Sequence, residues 1–414
     1  MLRVLTVSTL FPNSAQPTFG VFVESQTLAL AAREGVEVRV INPIAMPPFP
    51  FSLHRHYRDL RHLPLEEDWK GLRVARLPMR VIPGVSGPIN PALLVHAIRE
   101  TAQRWRQEGF AFDVIDAQFF YPDGPAAARL SAEFSVPFSI KARGADIHYW
   151  GSRLGCRGQV LRAAERAGGL LAVSKSLARD MAEMGMAADK IAVHYTGCDQ
   201  ERFHPLDRNA AKAALGVAGP LVVSLGALIP RKGHGLVIEA MTQLPGATLL
   251  VLGGGPDEAR LTARISSLGL GDRVKLLGSL PHRRLPEILG AADVMALASE
   301  SEGLANAWVE ALACGTPVVT PNVDGAAEAI DRPAAGRLLQ ERSPAAIAAA
   351  IRDILANPPT QEAVRASVAR FTWARNAHEL QQHLARVAGT GRGAAPAPAL
   401  HATPETPEGS RLPG

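Results

Sequence analysis

The chain has 414 residues, 47% of them hydrophobic and 20% charged, enough for two domains of ordinary size with a sizeable core. Three widely spaced cysteines, Cys156, Cys198 and Cys314, exclude a disulfide framework and a paired-cysteine zinc site and fit a reducing, cytoplasmic setting. The net charge of +5 suits an anionic ligand or membrane face; no run of about 20 apolar residues spans a bilayer, and no motif supports nucleic acid as a partner.

Residues 1–7 pass straight into a strand, leaving no room for a signal peptide. The loop over 9–20 follows that first parallel strand at its carboxyl end, where open α/β sheets bind ligands. Gly20 in this loop would let backbone approach a phosphate or sugar, and a helix is expected from about Val21. Strands follow at 36–41 and 72–77. Residues 46–62 open with prolines and then alternate cations with aromatics and leucines. An interfacial amphipathic helix and an ordinary solvated helix both fit this pattern, so a peripheral membrane contact at 45–62 is one of two open readings. Strands are next expected at 113–118 and 136–141, the latter running into Arg143, Gly144 and Asp146. Asp146 there reads either as a helix cap paired with Arg143 or as a group that positions substrate. Residues 173–177 and 190–195 close the first sheet. Gly, Asp and Pro over 197–205 mark a hinge.

A second sheet begins at 220–226. Arg231 and Lys232 follow its first strand and precede a helix start, where adjacent cations can clamp a diphosphate. The strand at 249–252 ends in a glycine loop that lacks the G-x-G-x-x-G fingerprint of nicotinamide cofactors. Residues 293–298 form a strand, and the small or polar side chains of 299–303 would cap a helix starting near Leu304. Such a start carries free amides and partial positive charge, a natural seat for a phosphate. Glu302 stands at its mouth. Glu310 lies eight residues on, roughly 12 Å away at helical rise, among apolar neighbours. A half-buried carboxylate needs a partner, and a ligand hydroxyl would serve. A strand at 318–320, a helix from 324–328 and a last helix from 371–373 to about Val387 follow. Residues 389–414 have almost no large apolar side chain and are expected to be disordered. The twofold run of strands and helices predicts an α/β protein with two doubly wound, Rossmann-like lobes facing a cleft. Their expected bounds are 1–198, joined by the final helix at 372–388, and 199–371.

The string Glu302-Gly303-Leu304-Ala305-Asn306 with Glu310, continuing to Cys314-Gly315-Thr316-Pro317-Val318-Val319, resembles the signature of retaining glycosyltransferases of family four, which have the GT-B fold. Ala305 stands where the family usually has proline. Tyr121-Pro122-Asp123-Gly124 and Arg143-Gly144-Ala145-Asp146 resemble a subgroup linked to exopolysaccharide and cell-wall polymer assembly. Histidine is frequent in the family where this chain has Gln118 and Arg143, and arginine where it has Ala227. Residues 197–205 resemble the linker between lobes, and 274–281 the turn that binds the donor base.

The resemblance runs over about 1–387 and implies sugar transfer from a nucleoside diphosphate sugar to a hydroxyl acceptor. It implies catalytic parts for Glu302 at the donor sugar and for Arg143 and Asp146 at the acceptor. Donor contacts fall to Arg231, Lys232, Gly303, Leu304, Ala305, Asn306 and Glu310, the last on the ribose, with Gly20 approaching from the other lobe. No Asp-x-Asp triplet occurs, so no metal or other cofactor is implied. The subgroup implies a lipid-linked or oligosaccharide acceptor at the inner membrane face. A non-catalytic nucleotide-sugar-binding protein and a GT-B epimerase are the alternatives.

Overall fold

Strands such as Leu2–Val7, Leu221–Leu225 and Thr248–Leu252 carry apolar residues on both faces, the composition of parallel strands covered by helices on either side. The computed structural model, which describes residues 1–390, arranges them in two sheets. The first holds β1 (Leu2–Val7), β2 (Val36–Met46), β3 (Glu66–Trp69), β4 (Leu72–Arg80), β5 (Val114–Ala117), β6 (Phe138–Ala142), β7 (Gly169–Ala172) and β8 (Ile191–Val193). Its order is β3-β4-β2-β1-β5-β6-β7-β8, parallel throughout except for the β3–β4 hairpin. The second holds β9 (Leu221–Leu225), β10 (Thr248–Leu252), β11 (Val274–Leu276), β12 (Val294–Ala296), β13 (Val318–Pro321) and β14 (Gly336–Leu339). Its order is β11-β10-β9-β12-β13-β14, all parallel.

In both sheets the strand order reverses beside the first strand, between β1 and β5 and between β9 and β12. The loops leaving these strands splay apart there and open a crevice at the carboxyl ends. The register fixes the two points: Val4 pairs with both Val38 and Val114, and Val223 with both Leu250 and Met295.

The chain crosses between the sheets twice, side by side. Cys198 bridges Thr372, and its amide donates to the Phe371 carbonyl at 3.0 Å. The last helix, Trp373–Thr390, then returns to the first sheet. Its Leu380, Leu384 and Val387 pack with Val4, Val23, Leu30 and Val40 in one buried cluster. Residues 391–414, most of the expected disordered tail, lie outside the described residues.

Three expectations are corrected. Residues 173–177 do not close the first sheet. The strand is the preceding Gly169–Ala172, and Ser174 caps the helix Lys175–Glu183 by accepting from the Leu177 amide at 3.1 Å. Residues 46–62 do not make one amphipathic helix. β2 runs on to Met46, and after its prolines the chain folds into the short turns Phe51–Leu53, Arg55–Arg58 and Asp59–His62. The helix expected near Leu304 begins at Asn306.

Candidate functional site

The lobes meet backbone to backbone. A side chain at Gly303, on the loop after β12, would set its first carbon 2.7 Å from the Arg143 carbonyl oxygen and 2.8 Å from Val173 Cγ2. At Gly144, which has φ of +113°, it would stand 3.2 Å from the Gly303 amide nitrogen. Only glycine allows that approach. Beside this contact Glu328, from the turn after β13, reaches into the first lobe. Its carboxylate accepts from the amide of Lys175 at 2.8 Å and from Tyr195 Oη at 2.7 Å. It thus adds a charge-assisted cap to the Lys175–Glu183 helix from across the cleft.

On the second lobe, Lys232 Nζ is paired with Glu302, 70 residues away, and Ser299 Oγ donates to the same carboxylate oxygen at 2.7 Å. Both charged side chains are largely buried. The Glu302 amide donates to Asp324 Oδ2 at 2.6 Å, and Arg231 reaches the Ser301 carbonyl. The loop 299–303 is therefore held by Arg231, Lys232 and Asp324 and does not cap the helix that follows. Ser299, expected as a cap, is used on Glu302 instead. The Asn306–Ala313 helix starts after Ala305 with no side-chain cap, which leaves its first amides open to an anion. Within that helix Glu310 accepts from His282 Nε2 at 2.8 Å, and the imidazole stacks near Phe203 at 5.3 Å between centroids. The partner demanded by the half-buried Glu310 is thus a protein histidine.

On the first lobe the two positions where histidine was expected hold each other. Arg143 Nε donates to the Gln118 carbonyl at 2.8 Å, its Nη2 to Gln118 Oε1, and its guanidinium lies over Phe22. Gln118 also accepts from Gln26 Nε2 at 2.8 Å and donates to Asp116. Gln26 accepts from the buried Lys141, which reaches His194 Nδ1 at 2.8 Å, and His194 Nε2 bonds the Asn376 carbonyl at 2.9 Å. Burial pushes Lys141 and His194 well below their usual ranges and raises Asp116 to about 6.

Asp146 is fully buried and accepts from the amides of Phe120 at 2.7 Å, Arg143 at 2.9 Å and Gly144 at 2.9 Å. Burial raises its pKa against the pull of those amides. Its carboxylate shapes the Arg143–Gly144 turn from below and is not presented to the cleft, which corrects the expected contact with substrate. Gly20 has φ of +75°, and a side chain there would strike the Leu10 carbonyl carbon at 2.6 Å. Its close neighbour is therefore its own loop. Arg231 and Lys232 are brought against the loop that carries Glu302 and Gly303. Glu328, Tyr195, Asp324 and His282 were missed, and only the turn chemistry of Asp324-Gly325 hinted at any of them. His148, Asp180 and Asp324 bring one donor atom each to within 4.8 Å of one another at the cleft mouth, a trio able to hold a divalent ion.

Two comparisons cover most of the chain. Residues 207–387 match the model of glycosyl transferases group 1, and residues 20–202 that of glycosyltransferase family 4. TuaC of Bacillus subtilis, a glycosyltransferase assigned to teichuronic acid biosynthesis, is 28% identical over 78% of this chain and 82% of its own length. The D-inositol 3-phosphate glycosyltransferase of Acidothermus cellulolyticus is 30% identical over 71% of this chain and 75% of its own. Among solved structures, a sucrose-phosphate synthase from Thermosynechococcus elongatus matches with a TM-score of 0.79 at 22% identity, over 94% of this chain and all of that one. HepE of Anabaena, solved with UDP, matches at 0.70 and 21% identity over 93% of this chain and 100% of its own. At these identities the structural likeness carries the fold.

Two outcomes follow from the first-lobe geometry. Asp146→Asn puts an amide donor against backbone donors, so it should melt early, with a loss of about 1.5–3 kcal/mol in denaturant unfolding. Asp123, fully buried, accepts from the Thr9 amide at 3.1 Å but leaves Oδ1 without a partner, and burial raises it to about 7. Its folded pKa exceeds the unfolded one, so the native state holds the extra proton between pH ~4 and ~7 and stability falls as pH rises through that window. Asp123→Asn should flatten this slope and melt above the parent at pH 8, by on the order of 2–4 kcal/mol. Parallel pH profiles of thermal unfolding would check both the sign and the crossing.

Proposed function

The chain belongs to glycosyltransferase family 4 and has the GT-B fold; from that premise we propose that it moves a sugar, with retention, from a nucleoside diphosphate sugar to a hydroxyl acceptor. The observation that carries this reading is the Lys232–Glu302 pair beside the uncapped start of the Asn306–Ala313 helix. A leaving diphosphate gathers negative charge as the glycosidic bond breaks, and a site stabilises it best with positive groups already in place. Lys232 and the amides of the Gly303–Asn306 turn supply them here. Arg231 contributes by holding the Ser301 carbonyl and hence the loop that presents those amides. An incoming diphosphate competes with Glu302 for the ammonium of Lys232, which frees the carboxylate to accept from hydroxyls of the donor sugar. Glu310, steadied by His282, meets the ribose hydroxyls.

Front-face transfer balances without a base from the protein. The bond between the anomeric carbon and the phosphate oxygen breaks, the acceptor oxygen bonds that carbon on the same face, and its proton passes to the released phosphate oxygen. Arg143, fixed by Gln118, then orients acceptor and diphosphate, and the lost histidines are not needed. The reaction so written uses no metal. The acceptor proposed is a lipid-linked or oligosaccharide hydroxyl of polysaccharide or glycolipid assembly, met at the inner face of the membrane from the cytoplasm. TuaC, assigned to teichuronic acid biosynthesis, supports that direction.

A panel of nucleoside diphosphate sugars should contain one that raises the melting temperature, since a ligand of the folded state alone stabilises it in proportion to its affinity. With that donor, Lys232→Ala should lower kcat/KM more than tenfold, a loss above roughly 1.4 kcal/mol. Glu302→Gln alone should depress transfer and leave binding of the bare nucleotide nearly intact. The double variant should lose less than the two singles combined, because the side chains act as one pair. Kinetics of Lys232→Ala equal to the parent's would refute the clamp, and inversion at the anomeric centre, read by proton NMR of the product, would refute retention.

A further inference from the structure

Every exposed large apolar side chain among the described residues lies between Met1 and Leu154; the second sheet and its helices present none. Most gather on three segments: Phe49, Phe51 and Leu53; Ile82, Val85 and Ile89; Tyr149 and Leu154. Topology makes the three continuous. β2 and β4 pair as far as Met46 and Arg80, so the segments after them leave the same end of the sheet side by side, and the Val81 amide donates to the Met46 carbonyl at 2.9 Å. Tyr121 Oη donates to the Gly87 carbonyl at 2.6 Å and Gln159 Nε2 to that of Pro88 at 2.7 Å, which ties 82–89 to the loop after β5 and to the chain beyond β6. The β1 and β6 loops of the cleft leave this same end.

Between the first two segments lies a groove of about 650 Å³, lined by four prolines, Phe51 and Ile82, with His54 and Tyr57 as its polar members. Prolines carry no backbone donor, so most of the wall is apolar and His54 and Tyr57 supply its polar groups. Exposed cations stand on the same three stretches of chain: Arg58 and Arg61 after Leu53, Arg80 before Ile82, and Arg153 and Arg157 on either side of Leu154 and Gly155. None of these five is in an ion pair among the described residues. Asp59 is the one acidic residue on 47–62, 80–89 and 149–157.

Apolar surface of this extent marks an interaction site. A protein partner would be met by paired hydrogen bonds and mixed charge. Exposed apolar side chains interspersed with arginines outside any ion pair instead match the boundary of an anionic bilayer, where hydrocarbon and phosphate meet. We propose that this end of the first lobe seats on an anionic lipid bilayer and that the groove takes one hydrocarbon chain. The inference rests on the transferase reading only in giving that seat a purpose, which is to hold a lipid-linked acceptor near the cleft.

Flotation of the full chain with phosphatidylcholine vesicles, with and without phosphatidylglycerol, tests the seat. The parent should float only with the anionic vesicles, and Phe49→Glu/Phe51→Glu should lower partitioning by about tenfold or more. Arg58→Glu/Arg61→Glu should lower it as well and make the residual binding insensitive to salt. Calorimetry with monomeric lysophosphatidylglycerol should give one site per chain, lost in Phe51→Glu, whereas glycerol phosphate, which has the head group and no chain, should not bind. These positions are exposed, so the variants should melt with the parent and keep its response to the donor. A missing donor response in the parent would count against the transferase reading and leave the seat standing. Absent flotation, equal flotation of the variants, or a concentration-dependent dimer abolished by Phe49→Glu/Phe51→Glu without vesicle binding would each overturn the proposal.

Discussion

The contact of Gly303 with the Arg143–Gly144 backbone is the constraint on which the rest of the cleft depends. With no side chain on either glycine, two loops from different sheets touch through main-chain atoms, and the lobes approach to 2.7 Å from a would-be Gly303 Cβ to the Arg143 oxygen. That closeness leaves no room for tolerance in the loops on either side. The second lobe holds its loop through Arg231, Lys232 and Asp324, and the first holds its turn through the buried carboxylate of Asp146. Both anchors are ionic groups used on backbone or on each other, so the loops are stiff before any ligand arrives. Preorganised positive charge of this kind is what a departing diphosphate requires.

Glu328 adds a second link across the cleft, and its chemistry differs. It offers a negative charge to the amides of a helix start in the other lobe, so the closed arrangement gains a charge-assisted cap that an open one would lose. The glycine contact limits how near the lobes come, while Glu328 favours their being near. The side-by-side crossing of the chain at Cys198 and Thr372 leaves few covalent restraints to oppose either. Rigid-body closure about two adjacent strands of backbone is the motion such a layout permits.

Much of the fold was legible because parallel strands announce themselves: β1, β9, β10 and β13 are apolar runs bounded by glycine, proline or polar turns. β3 was not, because Glu66, Glu67 and Asp68 are held in a strand by pairing with β4 and by ion pairs to Arg73, Arg76 and Arg104, which no local pattern reveals. The same division runs through the site. Arg231, Lys232 and the 302–310 string were visible as motifs. That Lys232 pairs with Glu302, or Glu310 with His282, depends on side chains 70 and 28 residues apart. Ser299 misled because a hydroxyl before a helix normally caps it, whereas here a nearer carboxylate outcompeted the amides. Asp146 misled because an aspartate at a turn reads alike whether it faces solvent or is sealed beneath by Phe120, Arg143 and Gly144.

The two lobes also differ in what they do with charge, and the difference follows from what each faces. In the second lobe Lys232 meets Glu302, Arg342 meets Glu300, Arg264 meets Glu239, and no large apolar side chain is exposed among the described residues. That surface is suited to water, and the Asn306–Ala313 helix start at the cleft has no side-chain cap. The first lobe buries, within an apolar core, a polar network in which Lys141, His194, Asp116, Gln26 and Gln118 form one chain that ends on Arg143. Such a network is costly unless every member is satisfied, and it specifies a single arrangement for the arginine at its end. The cost is met by the apolar packing of the last helix, which caps the network through the Asn376 carbonyl and buries Leu380 and Leu384 beside it. Arg143, the residue proposed to orient the acceptor, is therefore linked through this network to a helix that arrives after the chain has crossed from the second lobe, so its setting is complete only when the last helix has docked.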